Sequence, residues 1–80
     1  MSRLLVTPLQ EAALDAMTRG ELRHAPPNGW VSSVGVKGIW NSFSIFWMAG
    51  RGWCVITGSR AQITSEGRRM LHAVRQGWAA

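Results

Sequence analysis

Cysteine is almost absent from this chain of 80 residues. Cys54 stands alone, which excludes an intrachain disulfide and a cysteine-based metal cluster. A reducing cytoplasm fits that usage. Acidic residues are nearly as scarce: Glu11, Asp15, Glu21 and Glu66 are the whole set. Glu11 and Asp15 read as an i, i+4 pair on a solvated helix face, not as an acid/base pair. His24 and His72 lack the spacing of metal ligands, and no Cys or carboxylate cluster lies near them in sequence. "GRG" at 50–52 lacks the spacing and the Lys of a phosphate-cradling loop. No catalytic residue, cofactor or metal is therefore expected. Long apolar runs are also missing. The opening "MSRLLVTPLQ" offers three apolar residues in a row before Thr7-Pro8, too few for a signal peptide. No stretch is long enough to span a membrane. With no internal repeat, low-complexity tract or domain boundary, the expectation is one domain over residues 1–80, in the cytoplasm.

Basic charge and aromatic rings are what the chain does have. Nine Lys plus Arg against four Asp plus Glu give a net charge of +5. All but Lys37 of these cations are Arg, whose planar fork bonds two oxygens of a phosphate or carboxylate at once. An anionic partner is the functional reading of this balance, and solubility alone is the other. Five Trp and two Phe can build a core, yet they are much aromatic surface to hide in so short a chain. Exposed aromatic patches mark contact sites.

Three helices and a hairpin can be placed from local signals. "TPLQEAALDAMTRG" opens with Thr7 as cap, Pro8 in the first turn and Gln10 completing a Thr-x-x-Gln capping box. Leu9, Ala13, Ala16 and Met17 form its apolar stripe, supported by Ala12 and Leu14, and Arg19-Gly20 stops it. "ELRHAPPNGWVSS" predicts a loop with one or two short strands, and "VGVKG" an irregular segment. A second helix is expected over 41–50, capped by Asn41 or Ser42, with Gly50 near its end. "RGWCVITGSRAQIT" predicts a hairpin turning at Gly58-Ser59. Pairing Thr57 with Arg60 puts Cys54, Ile56, Ala61 and Ile63 on one apolar face, and Trp53, Val55, Thr57, Arg60 and Gln62 on the other. Cys54 is then a core residue, which removes a Cys54–His72 dyad. The last helix runs through "TSEGRRMLHAVRQG", capped by Thr64 or Ser65, with Met70, Leu71 and Val74 inward. Arg68, His72 and Arg75, with Arg69 beside them, make a basic face on it.

The order helix, short strand, helix, β-hairpin, helix resembles the winged-helix domains of bacterial transcription regulators. Two motifs carry the resemblance. "MAGRGWCVI" looks like the run from recognition helix through a basic-Gly turn into the wing. "AQITSEGRRML" looks like the Thr-x-x-Gly-Arg-x-x-Leu that follows the wing. The match covers roughly residues 7–75 and implies an α+β fold, a small winged-helix-like domain. The segment "PPNGWVSSVGVKG" leaves little room for the helix that normally precedes a recognition helix. In its size, simplicity and general look the chain also resembles the compact accessory proteins of phages, anti-CRISPR proteins among them, which would place it in the host cell cytoplasm.

Two functions follow as expectations. The first is an anti-CRISPR inhibitor that binds a protein surface of a CRISPR effector (surveillance) complex, or a guide or target strand. Its contact residues would be Lys37, Trp40, Asn41, Phe46, Trp47, Arg51 and Arg60. Arg68, Arg69, His72 and Arg75 would be a secondary basic face. The alternative is a winged-helix DNA-binding regulator, with Arg51 and Arg60 on phosphates and Asn41 and Ser42 reading bases. The helical spacing turns Phe43, Phe46 and Trp47 outward and Ile45 and Met48 inward. Burial of residues 43–48 on all sides is the third outcome, with Trp47 or Trp40 the residues to stay exposed. The chain would be a monomer or, through the same helix, a homodimer. Trp78 either folds back as a lid or dangles.

Overall fold

A computed structural model describes residues 6–77 of the chain. Trp78 lies outside the described residues. The elements run α1 (Pro8–Arg19), β1 (Leu22–Ala25), β2 (Gly29–Ser32), β3 (Ile39–Asn41), α2 (Ser42–Gly50), β4 (Cys54–Thr57), β5 (Arg60–Ile63) and α3 (Ser65–Arg75). The fold is α+β. The five strands form one antiparallel sheet in the order β3-β2-β1-β5-β4. In place of the one or two short strands expected before the second helix there are three, because the turn at residues 26–28 folds "ELRHA" and "GWVSS" against each other and β3 then adds to the outer side of β2.

Local chemistry sets the ends of each helix. Thr7 and Gln10 close the capping box from both sides, at 3.0 and 3.1 Å. The Asn41 side chain accepts from the Ser44 N–H, and that of Thr64 from the Gly67 N–H. The β4–β5 register is the one its turn dictates: Cys54↔Ile63, Val55↔Gln62, Ile56↔Ala61 and Thr57↔Arg60. Gly58 supplies the positive φ (62°) that a Gly-first two-residue turn needs.

Register sorts the whole sheet into two faces. Leu22, Trp30, Trp40, Cys54 and Ala61 lie on one face, and all are buried. α1, α2 and α3 cover that face, contributing Ala13, Leu14, Ala16, Met17, Ile45, Met48 and Leu71 to the core. Arg23, Ile39, Val55, Arg60 and Gln62 project from the opposite face, which is open. Burying the inner face of so small a sheet against three helices is the main source of stability available to a chain of this length.

Three expected placements are corrected. Trp40 is buried, not exposed, because β3 sets it directly opposite Trp30 in the core. Leu9 is exposed: it stands in the first turn of α1, where the apolar stripe has not yet reached the sheet. Trp53 is buried rather than outward, since it precedes the regular part of β4 and Trp47 and Arg51 lie against it.

Candidate functional site

α2 is apolar on every side. A helix of that kind is normally enclosed, yet here only Ile45 and Met48 are buried. The exposed positions Phe43, Phe46, Trp47 and Gly50 recur at i, i+3, i+4 and i+7 and form one stripe facing solvent. Phe43 is 77% exposed, Phe46 56% and Trp47 37%. Those values settle the choice between core and surface for this segment: its inner stripe is core and its outer stripe is surface.

Arg51 closes the stripe. Its backbone caps α2, and its guanidinium lies over the Trp47 ring, 4.6 Å from the centroid, and 5.7 Å from that of Trp53. Trp47 and Trp53 themselves meet edge to face at 5.6 Å. A planar cation on an aromatic face gains from the ring quadrupole, and a cation at a helix C-terminus is favoured by the helix dipole. The stack therefore holds Arg51 in one place.

The expected contact residues divide. Phe46, Trp47 and Arg51 come together, and Phe43 joins them. Trp40 is lost to the core. Lys37 is exposed on the segment before β3. Arg60 stands on the outer face of the sheet, away from the face that α2 covers, where its partner in register is Arg23. Glu21 sits between these two at 3.4 and 3.5 Å and accepts from Gln62. Asn41 and Ser42, the candidate base readers, are both engaged inside the domain. The Asn41 Oδ1 accepts the Ser44 N–H at 2.8 Å, and the Ser42 Oγ accepts the Trp30 indole N–H at 3.1 Å.

The basic face of α3 divides as well. Arg75 turns toward α1 and pairs with Asp15 at 2.6 Å and Glu11 at 3.7 Å. Glu11 and Asp15 are thus a clamp between two helices, not a solvated pair. The hydrogen bond from Arg75 is the largest influence holding the Asp15 carboxyl below its usual 3.8, with Arg19 adding to it. Arg69 pairs with Glu66. Arg68, Arg69 and His72 are exposed around a shallow depression of about 520 Å³. Among the described residues every acidic side chain is in an ion pair, while Lys37, Arg51 and Arg68 are in none.

An uncharged groove of about 480 Å³ runs along the end of the sheet, between Leu9, the 25–29 turn and Ile39–Asn41. Its wall reaches Ser44 at the start of α2. Spacing alone does not signal this groove, because it depends on β3 pairing with β2.

No group of three or more metal-ligating side chains occurs among the described residues. Nor is any of their helices long and apolar enough to cross a membrane. Cys54 is buried and its thiol points at the Ile45 carbonyl, 3.7 Å away. Burial pushes the thiol from 9.0 up to about 11. At pH 8 roughly one such thiol in a thousand is ionised, so a disulfide reagent should leave Cys54 unmodified in the native protein and react fully once denaturant is added. Reaction of the native protein at the rate of a free thiol would contradict the packing of β4 against α2.

No family model matches this sequence, and comparison with curated proteins and with solved structures finds no significant match.

Proposed function

We propose that the chain is a small binding protein that docks the outer stripe of α2 onto another protein, and that it acts as an inhibitor. The first partner to test is a protein subunit of a CRISPR effector complex. The docking face rests on geometry: Phe43, Phe46 and Trp47 exposed on one helical stripe, with Arg51 stacked at its end. The CRISPR effector is named on the chain's small size, simple organisation and basic charge. Trp and Arg dominate the energetics of protein interfaces, and wet aromatic rings gain free energy when a partner covers them.

A winged-helix DNA-binding regulator is the second reading, and the order of elements favours it. α2 leads directly into the β4–β5 hairpin, and β1 flanks β5, so that β1, β5 and β4 provide the sheet from which a wing would project. The side chains of α2 weigh against it. Asn41 and Ser42 are committed to the Ser44 N–H and the Trp30 indole, and the outward residues are rings that do not bond base edges.

Capture of CRISPR effector subunits by the immobilised protein, with duplex DNA as control, separates the two. Trp47→Ala should weaken capture by about tenfold or more and leave the circular dichroism spectrum unchanged. A duplex shift that is steep in salt and weakened by Arg51→Ala or Arg60→Ala would favour the regulator instead. Inhibition that survives Trp47→Ala, Arg51→Ala and Arg60→Ala together would remove the proposed surface.

A further inference from the structure

Resting on the docking face proposed above, we infer that Arg51 is a receptor for a carboxylate, and that the partner on α2 is a protein surface whose apolar patch is bordered by Asp or Glu. The distribution of charge carries this. Glu11, Asp15, Glu21 and Glu66 are all held in internal ion pairs, and Arg19, Arg23, Arg60, Arg69 and Arg75 are their partners. Arg51 is in none. No Asp or Glu occurs anywhere between Glu21 and Glu66, so the whole of α2 and the hairpin after it lack a carboxylate of their own. Of the three unpaired cations, Lys37, Arg51 and Arg68, Arg51 is the one that borders the exposed rings of α2, so a carboxylate that meets it there belongs to the partner.

The stack prepares Arg51 for that role. The guanidinium carbon lies over the Trp47 ring, 4.6 Å from the centroid, and the side chain remains exposed. A carboxylate approaches a guanidinium edge-on, in its plane, and accepts two parallel N–H bonds. Contact with the Trp47 and Trp53 rings restrains the exposed guanidinium before a partner arrives, which lowers the entropy lost when the pair forms. Covering Phe43, Phe46 and Trp47 would remove water from around the pair and strengthen it.

Two other occupants fit less well. A single nucleic-acid strand needs free ring faces for stacking and a groove of several cations. Arg51 already covers one face of Trp47, and Arg60 lies on the opposite side of the sheet. A second copy of the chain, seated face to face on α2, would offer Arg51 no carboxylate from α2 or from the hairpin after it, because neither contains one.

The test uses a synthetic amphipathic helix with Leu at i, i+3, i+4 and i+7 and Glu at the flanking positions. Its counterparts are the same helix with Lys for Glu and a twelve-nucleotide single strand. Binding is followed by isothermal calorimetry at two salt concentrations. The Glu helix should bind and the Lys helix should not. Arg51→Gln should weaken the Glu helix by about tenfold and flatten its salt dependence, and Arg51→Lys should fall between, keeping the charge without the fork. Phe46→Ala should weaken binding with the salt dependence intact. Circular dichroism of each variant checks that it is folded. The inference is overturned if the Lys helix binds as tightly as the Glu helix, if Arg51→Gln leaves the affinity unchanged, or if only the oligonucleotide binds. It is also overturned if the Glu helix fails to bind at low salt. The docking face is judged separately, by the loss of effector capture on Trp47→Ala, so the two can fail independently.

Discussion

Replacing Gly67 by Ala should lower the unfolding free energy by about 3 kcal/mol or more. Glycine costs a helix interior about 1 kcal/mol relative to alanine, so propensity alone gives the opposite sign. Packing decides the matter. Gly67 lies in the first turn of α3, is buried, and donates its N–H to the Thr64 cap. A Cβ there would fall 2.0 Å from the Trp53 carbonyl oxygen and 2.8 Å from the Ile63 Cγ1. The first of these is backbone and cannot swing away. It is also anchored, because the Trp53 carbonyl accepts the Thr64 N–H at 3.1 Å. Relief requires α3 to lift from the start of β4. Gly50 is the control. It ends α2, and a methyl group added there would meet nothing within 4 Å, so Gly50→Ala should be neutral or stabilise by up to about 1 kcal/mol. Urea unfolding of the two variants reads the contrast. A stabilised Gly67→Ala would mean that α3 does not sit on Trp53.

Trp30→Ala should cost about 3–5 kcal/mol, a large fraction of the stability that a domain of this size has in hand. Trp30 is among the largest fully buried side chains and faces Trp40 across the β2–β3 pair. Its indole N–H donates to the Ser42 Oγ at the start of α2, and the His24 ring packs 5.2 Å from it. One side chain therefore ties the outer strands of the sheet to the helix that carries the aromatic stripe. Trp30→Phe keeps much of the ring and loses the N–H, so it should cost less, about 1–2 kcal/mol. Denaturant titration orders the three proteins. If Trp30→Ala were as stable as the parent, β2 and β3 would not be part of the cooperative unit.

Local signals make the helices and the hairpin legible. Thr7 with Gln10, and Gly58 with the alternation around it, state their structures within a few residues, and the register of β4 and β5 follows from turn and pattern together. β3 is not legible. Three residues, "IWN", carry no period, and their burial depends on Trp30, which lies beyond an irregular segment. Trp40 escapes a local reading for that reason. The outward stripe of α2 is readable from spacing alone, because Ile45 and Met48 share one side of the helix and Phe43, Phe46 and Trp47 the other. Arg60 looks like a neighbour of Arg51 in sequence, which does not say which face of a hairpin the preceding helix covers. Gly67 does leave a signal: a glycine in the first turn of an otherwise good helix marks a close backbone approach.

The stacked Arg51 also bears on how the free protein behaves as a solute. Three wet rings on one helix are an adhesive patch, and charge at its border together with a net +5 over the chain opposes contact between copies. That repulsion reaches only about 10 Å at 0.1 M salt and less above it. On the binding mode proposed above, salt would act in two opposing directions on this one face: it would loosen an acidic partner and weaken the repulsion between copies of the chain.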